Sequence, residues 1–185
     1  MKKYLIFVFV VFFISCQRKD EKIIESVKVW YYNGIFERVM AVDCDEIIYF
    51  PEKVDTLDVI LEDGNHLPKQ AVILESIITD REILQEITKE LQLTKRSTNY
   101  GIDARMKCYI KFTNGSIDSL CLSESATYGY YNKKPTVFTK KFVYLIRKNS
   151  GFYWWIGTDY MKYFDELNDT TFVRENVKSR WGGEY

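Results

Sequence analysis

Along this chain the period of apolar and polar positions changes several times, and each change predicts an element. Tyr4 to Ile14 is an unbroken apolar run of eleven residues behind Lys2 and Lys3. From Ser26 to Val42, aromatic and β-branched residues flank Asn33-Gly34. Asn-Gly favours a two-residue type I′ turn because both positions take positive φ. A hairpin of 27–32 with 35–42 is therefore expected. Short strands follow at 46–50, 57–62 and 70–77, parted by Pro51-Glu52-Lys53 and Asp63-Gly64-Asn65.

The period then becomes helical. Thr79-Asp80-Arg81-Glu82 reads as a capping box, the Thr hydroxyl accepting from the backbone amide of Glu82 while that side chain reaches back. Ile83, Ile87 and Leu91, with Leu84 beside them, form one apolar stripe, and Glu86, Lys89 and Glu90 lie opposite, predicting a helix over 80–92. Ala104–Thr113 and Ser116–Ser123 surround a second Asn-Gly, Asn114-Gly115. A two-residue turn there sets Phe112 opposite Ile117, Ile110 opposite Ser119 and Cys108 opposite Cys121, with Lys111 facing Asp118 and Tyr109 facing Leu120 on the other side. Phe138, Phe142, Leu145 and Ile146 predict a second helix over 139–149, which Gly151 would stop. Phe152–Ile156 reads as a last strand, and 160–167 and 171–180 as further helices. The sum is an α+β fold: an antiparallel sheet of hairpins and meander packed with two or more helices. A helix followed by a meander is similar to the β-lactamase-inhibitor-like architecture of small secreted binding domains, without a specific motif behind the likeness.

The leader changes the picture of where the chain works. Its apolar run falls short of the roughly 20 residues of a spanning helix and has the size of a signal-peptide core. It ends in Phe13-Ile14-Ser15-Cys16 and is followed at once by Gln17-Arg18-Lys19-Asp20-Glu21. These residues resemble a bacterial lipoprotein signal, with Phe13 where that family most often has Leu. The resemblance implies cleavage before Cys16, a diacylglyceryl group on its sulfur and usually an acyl group on the new amino terminus. One acyl chain holds a bilayer only marginally and two hold it stably. The implied organisation is a signal peptide over 1–15, a lipid anchor and tether over 16–25, and a single domain over 26–185, unbroken by a Pro/Gly/Ser-rich linker or a repeat. Lys19-Asp20-Glu21 resembles the charged tags that send some Gram-negative lipoproteins to the outer face of the outer membrane; the plain alternative is a solvated linker. The localisation expected is export, with a lipid anchor in the envelope.

Composition narrows the chemistry. Twenty-six basic residues balance 26 acidic ones, which leaves no electrostatic footprint for nucleic acid. His66 is the only histidine and reads as a surface-loop residue, and no Gly-x-Ser-x-Gly elbow supplies a nucleophile for it. Asp43-Cys44-Asp45-Glu46 could offer oxygen donors to Ca²⁺ but lacks the EF-hand spacing, and an acidic turn is the simpler reading. Flanking carboxylates disfavour a Cys44 thiolate, so that residue reads as structural. No pair of carboxylates and no Gly-rich phosphate loop stands out, so neither a catalytic group nor a cofactor or metal site is nominated. In an oxidising compartment the register above would suit a Cys108–Cys121 disulfide, the alternatives being two buried thiols or a bulged turn that shifts the register.

Aromatic residues are the outlier, at 16% of the chain. Runs at Trp30-Tyr31-Tyr32, Tyr128 with Tyr130-Tyr131, and Phe152-Tyr153-Trp154-Trp155 must send some rings away from a core if they are strands. Trp30, Tyr32, Tyr128, Tyr130, Trp154 and Trp155 are the binding candidates this nominates. Helices covering both sheet faces would instead make them core. Two functions follow as expectations: a membrane-anchored noncatalytic lipoprotein binding a protein partner (inhibitor, immunity or assembly role), or a surface lipoprotein binding glycans.

Overall fold

The computed structural model describes residues 22–32, 41–45, 47, 56–60, 66–70, 73–98, 101–124 and 127–179, of which 56–60 and 66–70 are described by backbone alone. The expected hairpin partner at 35–40, the Asn33-Gly34 turn, most of the strand expected at 46–50 and the leader lie outside them.

Nine strands and three α-helices are described. They are β1 (Ile24–Tyr32), β2 (Thr56–Ile60), β3 (His66–Gln70), β4 (Ile73–Ile78), α1 (Arg81–Leu91), β5 (Lys95–Arg96), β6 (Ala104–Phe112), β7 (Ile117–Ser123), β8 (Tyr128–Tyr131), β9 (Lys134–Val137), α2 (Lys140–Ser150) and α3 (Thr158–Met161). Short 3₁₀ turns stand at Phe152–Trp155 and Asp165–Asn168. The main sheet has seven strands in the order β4-β1-β6-β7-β8-β9-β5, every pairing antiparallel, and β2 and β3 pair with each other. This is the α+β fold the pattern predicts. Among the described residues no helix is long and apolar enough to cross a membrane.

One face of the sheet carries the core. Val27, Val29 and Tyr31 of β1, Met106, Cys108 and Ile110 of β6, and Leu120 and Leu122 of β7 pack against Leu84 and Ile87 of α1 and Phe142, Val143 and Ile146 of α2. Both helices follow the predicted stripes. The first cap is one residue later than the capping box places it: Asp80 Oδ1 accepts from the amides of Glu82 and Ile83 at 2.9 and 3.0 Å. A carboxylate at that position accepts both amides and also complements the helix dipole, which a Thr79 hydroxyl would not. Thr139 caps α2, and Gly151, at φ 79°, ends it as expected.

Five expectations are corrected. Both edges of Val27–Tyr31 are taken, by β4 and by β6, so no edge is left for a hairpin with 35–42. Phe152–Ile156 is not a strand. Beyond Gly151 the chain closes as a 3₁₀ turn that buries the neighbours Phe152 and Tyr153 and exposes Trp154, which strand alternation could not do. Residues 171–179 form turns rather than a helix, and His66 opens β3 instead of sitting in a loop.

The fifth correction is the β6–β7 register. Gly115, at φ 81°, takes the left-handed position of a three-residue turn, with the amide of Gly115 donating to Phe112 O and that of Phe112 to Ser116 O, both at 2.9 Å. This is the bulged alternative to type I′, open to the same Asn-Gly dipeptide. It slides the pairing by one residue: Cys108 faces Leu120, and Lys107 faces Cys121. The two cysteines therefore point to opposite faces. Cys108 is a free thiol buried in the core, and Cys121 is bonded to Cys44.

The sequence reading also lacks the β8–β9 hairpin. Its two-residue turn is Asn132-Lys133, at φ 48° and 63°, a type I′ geometry reached without glycine. Asn132 holds it by accepting from the Ser119 amide at 2.8 Å and donating its own amide to Ser119 O at 2.8 Å. Gly129 lets β8 lie close on β7, since a Cβ there would stand 1.9 Å from Cys121 O.

The irregular C-terminal stretch is attached by a buried charge network. Arg147 of α2 pairs with Glu166, 1% and 0% exposed at their side chains. It also donates to the carbonyls of Ser123 and Glu124 at 2.8 and 2.7 Å, and Tyr153 donates to Glu166 at 2.8 Å. Phe152 and Phe164 flank the guanidinium at 5.4 and 5.0 Å. Burial, with Glu166 beside it, pushes the Tyr153 phenol well above its ordinary 10.0. Burial and a hydrogen bond to Asp118 do the same for Tyr131. A raised phenol pKa leaves stability whole below 10.0 and erodes it above, where the unfolded chain releases protons that the folded one keeps. Urea midpoints are accordingly expected to fall as pH rises past about 9 to 10, where the unfolded chain releases first the Cys108 thiol proton and then the buried phenols' protons. Tyr153→Phe together with Tyr131→Phe should make that alkaline fall shallower.

Candidate functional site

The second face of the sheet is where the aromatic and charged side chains gather. Alternation along the strands and the pairing register order it in rows. Ile77, Lys28, Tyr109 and Ser119 form one row, and Glu75, Trp30, Lys107, Cys121 and Tyr130 form the next. Trp30 and Tyr109 meet edge to face at 5.2 Å. The Trp30 indole donates to Glu75 at 2.8 Å, and Lys28 bridges both, 2.9 Å from Glu75 and 4.8 Å over the indole. Hydrogen bonding from Lys28, and then from Trp30, holds the Glu75 carboxyl below its usual range. Ile77 stands 56% exposed at the edge of this group.

Beside it lies a shallow cleft of about 480 Å³ lined by Asp43, Cys44, Asp45, Lys107, Tyr109, Ser119, Cys121, Tyr130 and Lys133, among others. Lys107 is only 5% exposed, donates to Asp45 at 3.0 Å and lies 5.7 Å from the Tyr109 ring. The Lys107 hydrogen bond and charge hold the Asp45 carboxyl below its ordinary range. The Cys44–Cys121 bond, with Cα atoms 6.0 Å apart, pins the 41–47 segment along this face. Under it sits a small second core of Tyr32, Val42, Ile47, Ala104 and Cys121. The Val42 amide donates to Asp103 at 2.9 Å, and its carbonyl accepts from Ala104 at 3.0 Å, which adds backbone ties to the covalent one.

The sequence-nominated aromatics do not form one patch. Trp30 and Tyr130 lie half-buried on this face, with Tyr128 on the same side of β8 by alternation. Tyr130 accepts from the Gly101 amide at 3.1 Å. Tyr32 is removed from the candidates: it is 1% exposed, within the second core. Trp154 is 49% exposed in the 3₁₀ turn after α2, and Trp155 packs against the main core. The sequence reading nominated neither Lys107 nor Tyr109 and took Asp45 only as part of an acidic turn or Ca²⁺ donor set. The alternation of Lys107, Tyr109 and Lys111 with Cys108, Ile110 and Phe112 was the available signal, but a register wrong by one residue hid what they face. Cys44, read as a structural thiol, is instead bonded to Cys121, with Asp43 and Asp45 on either side of it in sequence, and among the described residues no three His, Cys, Asp or Glu side chains gather as a metal site.

No protein family, curated protein or solved structure matches this chain.

Proposed function

We propose that this chain is a noncatalytic lipoprotein of the cell envelope that binds a protein partner, in an inhibitor, immunity or assembly role, and is held in the membrane by acyl chains on Cys16. The leader ending in Ile14-Ser15-Cys16 supports the anchoring. The observation carrying the partner reading is the group on the sheet's second face where exposed Ile77 flanks the Trp30–Tyr109 pair and Lys28 and Glu75 rim it. An aromatic and aliphatic centre with a charged border is what protein hot spots use.

A second reading, glycan binding, draws on the cleft. It sets Tyr109 and Tyr130 beside Asp43 and Asp45, rings and carboxylates of the kind that engage sugar faces and hydroxyls. Capture from envelope extracts by wild-type chain and by Tyr109→Ala, together with a glycan array, separates the two. A protein captured by wild type and lost in both Tyr109→Ala and Ile77→Glu supports the first. Array binding lost in Tyr130→Ala, with no protein captured, replaces it with the second. Unchanged capture by both variants sinks the assignment to this face.

A further inference from the structure

The tether meets the domain at one end of the sheet. The described chain begins at Lys22, and Ile23 accepts from the amide of Thr113 in the β6–β7 turn at 2.9 Å. Ile23, Thr113, Thr79, Arg81 and Leu84 share the walls of a groove of about 410 Å³ there. Two large apolar side chains stand out from this end, Ile23 at 54% and Ile117 at 61% exposure. Cationic side chains surround them: Lys22 is 52% exposed and pairs with Asp118 at 3.5 Å, and Lys111 is 48% exposed and pairs with Glu25 at 2.8 Å. Arg81 is exposed on the first turn of α1, next to exposed Glu82.

We propose that this end of the domain rests on the lipid bilayer, with Ile23 and Ile117 entering the headgroup region. The proposal depends on the reading of Cys16 as the lipidated residue. Lys22 lies six Cα steps beyond Cys16, a reach of at most about 20 Å even fully extended. The nine residues of β1 span more than that, roughly 26 Å between their end Cα atoms. The anchor therefore holds the Ile23 end near the membrane and excludes the inverted pose, in which the end beyond Tyr31 would rest on the bilayer with Ile23 uppermost. That far end is where Tyr31 packs on Phe152 at 5.7 Å and Phe152 on Phe164 at 5.9 Å. Isoleucines at the interface bury their apolar surface, while the long stems of Lys22, Arg81 and Lys111 let their charges stay among the headgroups. The charges at this end are mixed, so the apolar contact supplies the attachment and the cations set its depth. In this pose the sheet's second face stands beside the bilayer normal and stays open to a partner.

The test uses full-length lipidated protein in vesicles of phosphatidylethanolamine and phosphatidylglycerol carrying brominated acyl chains. An environment-sensitive dye is placed singly through Ile23→Cys, Ile117→Cys and Tyr163→Cys, all at exposed positions. Loss of emission by bromine quenching is expected at 23 and 117 and none at 163. Vesicle-bound protein whose dyes at 23 and 117 behave like the dye at 163, or quenching at 163 alone, overturns the membrane-facing end while leaving the lipoprotein reading intact. An intact mass showing Cys16 unmodified takes both down together.

Discussion

Arg147→Met is expected to cost the protein about 3–5 kcal/mol of folding stability, because it leaves the Glu166 carboxylate buried without its partner. Glu166→Leu should cost a similar amount by stranding the guanidinium. The double change Arg147→Met/Glu166→Leu should cost much less than the two singles together, since neither charge then remains to be desolvated. It will not reach wild type, for the Ser123 and Glu124 carbonyls lose a donor and Tyr153 loses its acceptor. Urea melts of the four proteins give the cycle directly. Single changes that move the midpoint no more than a surface substitution would mean that the pair is not buried. The location explains the size of the effect: the network joins α2, the end of β7 and the stretch after Gly151, which has few backbone ladders of its own.

Removing the Cys44–Cys121 bond is the second large effect. The two residues are 77 apart in sequence, and closing a loop of that size is worth about 4 kcal/mol in the chain-entropy account. Cys44→Ser/Cys121→Ser should therefore unfold at markedly lower urea, and the loss should be local at first. Hydrogen exchange is expected to rise for 41–45 and 47, which rely on this bond, the Asp103 and Ala104 contacts and the Asp45–Lys107 pair. Partner or glycan binding at the adjacent cleft should fall with it. Burial also pushes the Cys108 thiol far above its ordinary value. A thiol reagent should thus leave Cys108 untouched in the folded domain and reach it only in denaturant. Peptide mapping that linked Cys108 to Cys121, or rapid labelling of Cys44 in the folded state, would refute the observed register.

Most of the elements were legible before any fold was known, because their causes are local. The stripes of α1 and α2, the Gly151 stop and the strands on both sides of Asn114-Gly115 depend on residues within a turn or two of one another. What lay outside that reach were choices between local options of nearly equal cost. Asn-Gly fits a type I′ turn and a bulged turn alike. The one residue of slippage between them sends Cys121 away from Cys108 and toward a partner 77 positions upstream. The same holds for β1, whose neighbours are β4 and β6 rather than the next stretch of chain. It holds too for Phe152-Tyr153, where the left-handed Gly151 and the space beside α2 outweigh the strand propensity of aromatic residues. The site is of this second kind throughout. Lys107, Tyr109, Asp45 and Trp30 become neighbours only through cross-strand register and one long-range disulfide, and the free energies that select those come from packing the whole sheet, not from any segment alone.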